Sequence, residues 1–191
     1  MDVYDLLYKY TVVRSNRRTL AFEARSDGTL TVRAPYGVSE AEIEAALNRN
    51  AEKVRKMMER AKTEQEKRAS AQKLTDEELR ELVREALDYI PRRVNHYASV
   101  MGVSYGRITI RSQATRWGSC SAKRNLNFNC LLMLAPKEVI DSVVVHELCH
   151  LKEMNHSKRF YDEVLRVYPD YHKWHRWLKE HGGGLMARNR V

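Results

Sequence analysis

The first third of the chain alternates apolar and polar positions with a period of two, which predicts β-strands. Three segments, separated by short polar stretches, are rich in β-branched and aromatic side chains: residues 8–14, 19–25 and 29–34. We expect them to form a three-stranded antiparallel meander. Ser39 and Glu42 then have the spacing of a capping box, so a helix is predicted over residues 40–61. Residues 63–73 are highly polar and fit either a continued helix or a linker.

A second capping box, formed by Thr75 and Glu78, marks the start of the next helix. Its apolar side chains recur at helical spacing along one face: Leu79, Leu82, Val83, Ala86, Leu87 and Ile90. Pro91 is expected to kink the helix, after which the helical pattern resumes until Gly102. We therefore predict one long helix with a kink at Pro91.

Short strands and helices share the rest of the chain. Strands are predicted at residues 107–111 and 125–132, with residues 115–121 between them as a strand or an ordered loop. Three helices follow: one that starts near Pro136 and is apolar almost all round, one from Ser157 to Val167, and one that ends at Gly182, Gly183 and Gly184. The tail beyond is expected to be mobile. The fold class predicted is α+β, with a functional helix beside a small sheet.

The apolar helix contains His146, Glu147 and His150, which form the pattern His-Glu-x-x-His. Residues four apart lie on one face of an α-helix, so the two imidazoles can converge on one ion. Glu147 is the next residue after His146 in the helix, and its carboxylate can reach a water bound to that ion. Imidazoles in apolar surroundings need a metal or hydrogen-bonding partners. The pattern predicts a catalytic Zn²⁺ site with Glu147 as general base; the alternative is two core histidines with local partners.

A catalytic zinc usually takes three protein ligands, so a third donor is needed near the pair. His156 is the strongest candidate. It follows His150 by six residues, which places it off the helix face, so the chain must turn between them. Asn155 tolerates the left-handed conformation that ends helices, and Ser157 can cap the next helix. His156 would then point back at the ion.

Other donors remain open. The same histidine spacing occurs in metzincins, but their motif has Gly where this chain has Glu153, which argues against that class. A site of the gluzincin type would instead take a downstream carboxylate, either Glu163 or Glu180. A second metal site on the last helix is conceivable, although packed or solvated side chains are more common: His172, His175 and His181.

Length and composition limit the organisation of the protein. The 191 residues fit a β-meander and helix extension over residues 1–73 and a catalytic domain over residues 74–191, or a single compact unit. The first ten residues do not resemble a signal peptide, and no apolar run is long enough to cross a membrane. We therefore expect a cytoplasmic protein. Three cysteines without Cys-x-x-Cys spacing argue against a disulfide framework or a cysteine-based zinc site.

The net charge of +9 permits attraction to nucleic acid, anionic surfaces or acidic polypeptides without choosing among them. Positive residues are dispersed, with a modest concentration over residues 49–68 that is interleaved with glutamates. Such a stretch is commonly a solvated helix, so nucleic acid is a conceivable partner that no reading motif supports.

With these segments the chain resembles the YgjP-like metallopeptidase family, which is related by motif to SprT-like proteases. The matching stretches are Thr115-Arg116-Trp117-Gly118-Ser119-Cys120-Ser121, Asn125-Leu126-Asn127-Phe128-Asn129, Val143 to Leu151, Asn155-His156-Ser157-Lys158-Arg159-Phe160 and Pro169-Asp170-Tyr171. The resemblance implies a zincin-like catalytic domain. In it His146, His150 and His156 would hold Zn²⁺, and Glu147 would do the acid–base work.

The predicted function is that of a zinc-dependent metallopeptidase in which metal-activated water attacks a peptide bond of a polypeptide substrate. The candidates for the wall of a substrate-binding cleft are Arg116, Trp117 and Ser119. The alternative is that this segment is a packed turn with Trp117 in the core. Candidates for stabilising the oxyanion are Arg116, Tyr161 and His172. Two rival functions remain: a metal-stabilised module that binds DNA or protein, and a hydrolase of a non-peptide amide or another small substrate. The natural substrate and the oligomeric state stay open.

Overall fold

The computed structural model describes residues 10–25 and 27–189, with the side chains of residues 67 and 68 excepted. The chain divides into two compact units, one ending at Ser70 and the other beginning at Ala71. The functional division at residues 73 and 74 stays a prediction. The predicted strand start at residue 8 lies outside the described residues.

The first unit contains a three-stranded sheet of β1 (Tyr10–Ser15), β2 (Ala21–Ala24) and β3 (Leu30–Pro35). The spatial order is β1-β3-β2, with β1 parallel to β3 and β2 antiparallel to it. The predicted antiparallel meander is therefore wrong in its connectivity, although all three strands exist. A meander would put β2 in the middle, whereas here the last strand lies between the first two.

Burial explains why β3 takes the central place. Leu30, Thr31 and Val32 are buried, so successive side chains are covered on both faces of the strand, whereas β1 and β2 contain no fully buried residue. Short-range alternation identifies strands but does not rank them by burial on both faces. The order of the strands in the sheet therefore could not be predicted from the alternation of apolar and polar residues.

Two helices follow β3 in place of the single helix predicted. The first, α1 (Glu40–Arg49), begins with the predicted capping box, in which the Ser39 amide donates to the Glu42 carboxylate at 2.8 Å. It ends at Asn50, whose side-chain amide donates back to the Ala46 carbonyl at 2.8 Å. The second, α2 (Ala51–Ser70), continues through the polar stretch as a helix rather than a linker.

The second unit opens with α3 (Asp76–Met101), capped by Thr75 and Glu78 as predicted. The helix continues through Pro91 to Met101, as the resumed helical pattern predicts, and the kink at Pro91 stays a prediction. Ile90 and Val94 on either side of the proline are fully buried in the core. Packing of this face holds the helix together where local propensity alone disfavours it. Gly102 ends the helix in the left-handed conformation at φ 63°.

A second small sheet follows, made of β4 (Ile108–Arg111), β5 (Gly118–Cys120) and β6 (Leu126–Asn129). Its order is β4-β6-β5, with β4 parallel and β5 antiparallel to the central β6. The strand predicted to reach residue 132 ends at Asn129, because the chain turns into a 3₁₀ helix over Cys130–Leu134. The Asn129 side chain accepts the first free amide of this turn, from Leu131 at 3.1 Å.

Three helices complete the second unit: α4 (Lys137–Cys149), α5 (Lys158–Val167) and α6 (Tyr171–Ala187). Helix α4 runs through the centre, with Val144, Val145 and Leu148 fully buried. This unit has an α+β fold with α4 beside the β4-β6-β5 sheet, as predicted. Among the described residues, no helix combines the length and the apolar character needed to cross a membrane.

The predicted end of the last helix at Gly182 is wrong, since α6 continues to Ala187. Gly182 serves close packing instead of termination. A Cβ placed on Gly182 would lie 3.1 Å from two atoms of the Trp117 indole ring, so the missing side chain lets the indole approach the helix. Sequence alone cannot separate a glycine that ends a helix from one that accommodates a ring.

Candidate metal centre

Helix α4 brings two histidines and a carboxyl to one region. His146 and His150 are half-buried, and Glu147 between them is buried with 6% exposure. From Val139 to Cys149 every residue of the helix except His146 is buried, so the position of the helix is fixed by the core. The three polar side chains are therefore presented from a rigid element.

The three predicted ligand histidines converge. The Nε2 atom of His146 lies 3.3 Å from Nε2 of His150 and 3.1 Å from Nε2 of His156. All three ligand atoms lie within 4.8 Å of one another. Nitrogens bound to a tetrahedral Zn²⁺ at its usual bond length would be about 3.3 Å apart. The donor set and its spacing therefore fit a zinc ion.

His156 returns to the site because the chain turns after α4. Ser157 starts α5, where its hydroxyl accepts the Phe160 amide at 3.4 Å. Phe160 itself is fully buried, and its ring lies 4.7 to 4.9 Å from all three imidazoles, measured between ring centroids. This phenyl ring supports the three histidines from one side.

The second ring nitrogen of each α4 histidine has its own partner. Nδ1 of His146 lies 2.9 Å from the Tyr171 hydroxyl, and Nδ1 of His150 lies 3.2 Å from the Glu153 carbonyl oxygen. A carbonyl can only accept, so His150 carries its proton on Nδ1 and its Nε2 lone pair is free. Partners of this kind orient metal-binding imidazoles and fix their tautomer.

Burial favours the neutral form of His146 and His150. It lowers the pKa of His146 to about 3, with further lowering by the charges of His150 and His156. The pKa of His150 is also lowered, again mainly by burial. Neutral imidazole is the form that binds a metal ion, so these two histidines do not need to lose a proton at neutral pH before binding.

Glu147 borders a cavity of about 210 Å³. The cavity is lined by residues of the loop before β5, of α4 and of α6: Arg116, Trp117, Gly118, Ser142, Val143, His146, Glu147, Tyr171, His175 and Leu178. Its volume is below the range of about 300 to 1,000 Å³ that holds a whole small ligand. It therefore has room for the reacting group of a substrate, whose remainder must lie outside.

The Glu147 carboxyl is held in a dry setting. Burial raises its pKa to about 8, whereas a cation held by the adjacent histidines would favour the charged form. The main chain of β5 approaches this carboxyl closely. A Cβ placed on Gly118 would lie 2.6 Å from Oε1 and 2.8 Å from Cγ of Glu147, so only glycine leaves room for the carboxyl in this position.

The cavity wall before β5 is fixed by Asn129 at the end of β6. Asn129 is 1% exposed, and its amide donates to the Gln113 carbonyl at 2.8 Å and to the Arg116 carbonyl at 2.9 Å. This holds Arg116 and Trp117 at the cavity. Ser119 is not among the lining residues; its hydroxyl accepts the Asn127 side-chain amide at 3.2 Å. Trp117 is both a cavity wall and a packed side chain against α6.

The remaining candidates lie around His156 or farther away. The rings of Tyr161 and His156 are 6.2 Å apart, and those of Tyr161 and His172 are 6.3 Å apart, but neither Tyr161 nor His172 lines the cavity. Glu163 pairs with Lys152 at 2.6 Å and Arg166 at 2.8 Å. Neither Glu163 nor Glu180 belongs to the histidine cluster found among the described residues.

Several residues that shape the site have no functional role predicted from the sequence. Tyr171 and Asn129 stand in the family-like stretches, yet nothing local says that one meets an imidazole and the other two carbonyls. His175 was considered only for a second metal site, but it lies beside Tyr171 at the cavity. Four-residue spacing between Tyr171 and His175 on a helix was the available signal.

The chain is similar to known proteins over part of its length. The family model described as "YgjP-like, metallopeptidase domain" matches residues 63–181, well over half of the chain. A UTP pyrophosphatase of Escherichia coli (strain K12) is 38% identical over 56 residues, which are 29% of this chain and 34% of that protein. The match thus spans about a third of the length of this curated relative.

Two solved structures of metallopeptidase zymogens are similar in part. Abylysin of Pyrococcus abyssi gives a TM-score of 0.44 at 23% identity, over 53% of this chain and 99% of that chain. Jannalysin of Methanocaldococcus jannaschii gives 0.43 at 23% identity, over 48% of this chain and 94% of that chain. Both scores lie below 0.5.

Proposed function

We propose that this chain, which belongs to the YgjP-like family through its metallopeptidase domain, is a zinc-dependent hydrolase that cleaves peptide bonds. One observation carries the proposal: three imidazole nitrogens lie within 4.8 Å of one another beside a buried carboxyl. A purely structural zinc site usually has four protein ligands. Three ligands with a carboxyl at the cavity instead suit catalysis.

His146, His150 and His156 would hold the ion. When bound, Zn²⁺ would polarise the scissile carbonyl and lower the pKa of the attacking water. Glu147 takes the proton of that water at its carboxylate and returns it to the departing amine. The surroundings of Glu147 are dry, so the electrostatic interaction of its carboxylate with the bound ion and with the transferred proton is stronger than it would be in bulk water.

The edge of the β4-β6-β5 sheet offers a place for an extended substrate. Strand β5 is an outer strand, and its first residue, Gly118, touches Glu147 and lines the cavity. A peptide that adds to this edge as a further strand would carry its carbonyl groups past the carboxyl. Arg116, an exposed cation at the same cavity, would meet an acidic or carboxyl-bearing part of the substrate.

A second candidate function is hydrolysis of a nucleoside triphosphate. The observation that favours it is the 38% identity over 56 residues to a UTP pyrophosphatase. The same residues suit this chemistry, since Glu147 can activate water for attack on phosphorus and Arg116 can contact a phosphate oxygen. The net charge of +9 also favours an anionic substrate.

One experiment separates these functions from each other and from a binding module. Purified protein with a measured zinc content is incubated with a peptide library and, separately, with UTP, each with and without a chelator and with and without DNA. Chelator-sensitive peptide cleavage supports the first proposal, and chelator-sensitive release of pyrophosphate from UTP supports the second. Zinc binding without turnover of either substrate would contradict both proposals and favour the module that recruits DNA or protein.

The contact between Gly118 and Glu147 gives a specific prediction. Gly118→Ala should lower turnover about 100-fold, because the new methyl group displaces the carboxyl and a shift of about 1 Å has an effect of that size. The zinc content should stay that of the natural protein, since the three atoms nearest to this methyl group all belong to Glu147 and none to a ligand histidine. Turnover and bound zinc are measured on the same preparation.

Gly184→Ala is the matched control, because a Cβ there has no atom within 4 Å. Thermal unfolding of both variants separates a local shift from loss of the fold. Unaltered turnover in a folded Gly118→Ala protein would contradict the position assigned to Glu147.

A further inference from the structure

Tyr171 is a buried tyrosine that the proposed reaction does not use. It is the first residue of α6 and is 2% exposed, and its hydroxyl lies between two imidazoles. The distance is 2.9 Å to Nδ1 of His146 and 3.3 Å to Nδ1 of His175. The tyrosine ring is also nearly parallel to both imidazoles, with interplanar angles of 15° and 22°. These contacts place one hydroxyl between a ligand of the metal centre and a side chain of the cavity.

We propose that Tyr171 and His175 form a hydrogen-bonded relay that sets the tautomer and the metal affinity of His146. The inference rests on the proposed role of the three histidines as metal ligands. Tyr171 and His175 are positioning residues in this account, and neither binds the ion. The relay would act on any divalent ion held by imidazole nitrogens.

The direction of the hydrogen bonds follows from the position of His146. Its Nε2 faces the Nε2 atoms of His150 and His156, so a lone pair must stand there for metal binding and the ring proton must be on Nδ1. That Nδ1–H donates to the oxygen of Tyr171. The hydroxyl of Tyr171 is then free to donate in turn to Nδ1 of His175, whose own proton is on Nε2. In the relay His146 donates to Tyr171, Tyr171 donates to His175, and His175 accepts.

The opposite direction is incompatible with a metal centre. If the Tyr171 hydroxyl donated to His146, the ring proton would be on Nε2 and would point at the other two histidines. His175 prevents this arrangement by accepting the hydroxyl proton. The accepting nitrogen on α6 is therefore as much a part of the metal centre as the tyrosine, although it does not touch the ligands.

The relay predicts graded effects on metal affinity. Tyr171→Phe should weaken zinc binding about 10- to 100-fold, the usual cost of losing a partner of a metal-binding imidazole. His175→Ala removes one neutral hydrogen bond to the tyrosine and should weaken zinc binding about 2- to 10-fold. His175→Asn should bind zinc within about twofold of the natural protein, because its Oδ1 can accept the hydroxyl near the place of Nδ1.

Zinc affinity is measured by competition with a chromophoric chelator. In the double variant Tyr171→Phe/His175→Ala, the affinity should equal that of Tyr171→Phe alone, since the relay is already broken at the tyrosine. Additive losses would show that the two residues act separately and would overturn the relay. Affinity unaffected by Tyr171→Phe would overturn it as well.

Tyr168→Phe is the matched control. Its hydroxyl donates to the Glu138 carbonyl at 3.1 Å, outside the metal centre, so its removal should leave zinc affinity as it is. Thermal unfolding of the metal-free variants tests whether each is folded. Natural protein that binds no zinc contradicts the proposed function, whereas natural protein that binds zinc with the same affinity as Tyr171→Phe contradicts only the relay.

Discussion

Glu147→Gln should abolish most hydrolysis while the protein keeps its zinc. The amide has nearly the size and shape of the carboxyl, so it fits the space beside Gly118, but it cannot take a proton from water. We expect turnover to fall about 100- to 10,000-fold, the usual contribution of a positioned general base. The zinc content should stay the same, because the ligand nitrogens are those of the three histidines. Turnover and metal stoichiometry are measured together.

Glu138→Gln provides the control for Glu147→Gln. Glu138 belongs to the same helix, α4, but is exposed near its start. The same chemical change there should leave turnover within about twofold, since surface substitutions have small effects. Full turnover of Glu147→Gln with either peptide or UTP as substrate would remove Glu147 from the mechanism in both proposed functions.

His156→Ala should weaken zinc binding more than any change of an outer partner. The loss of a direct ligand is expected to exceed about 100-fold in affinity, the upper end of the range for residues that only support a ligand. The variant should fold, because His156 is exposed and the buried Phe160 beneath it is unaltered. Zinc affinity by chelator competition and thermal unfolding are the two measurements.

Glu163→Gln tests the rival third ligand in the same assay. Its carboxylate is held by Lys152 and Arg166, which lower its pKa to about 2. We therefore expect zinc affinity to be unaffected. If Glu163→Gln lost zinc while His156→Ala kept it, the third ligand would be the carboxylate and the site would be of the gluzincin type. His96→Ala, an exposed histidine on α3, controls for histidine removal in general.

The local features of the fold could be predicted from the sequence, because each depends on residues that are close together in the chain. Both capping boxes, at Ser39 and at Thr75, start helices where predicted, since the hydrogen bonds involved join residues three apart. The convergence of His146 and His150 follows in the same way from the geometry of one helical turn. Nothing in these features needs the rest of the chain.

Other features of the fold depend on packing between segments that are distant in sequence. They could not be predicted from the pattern of apolar and polar residues. The order β1-β3-β2 follows from burial of β3 on both faces. The close approach of α6 at Gly182 to Trp117 joins residues 65 positions apart in the chain. Each is a case in which distant contacts outweigh local preference.

The candidate site shows the same contrast between features that depend on nearby residues and features that depend on packing. The sequence by itself determined which residue types stand together on α4, because helical periodicity fixes the faces of His146, Glu147 and His150. Only the tertiary structure decided what surrounds them: the Gly118 main chain against the carboxyl, and Tyr171 and His175 behind His146. These partners come from other strands and helices, and their meeting is set by how the elements pack rather than by spacing along the chain.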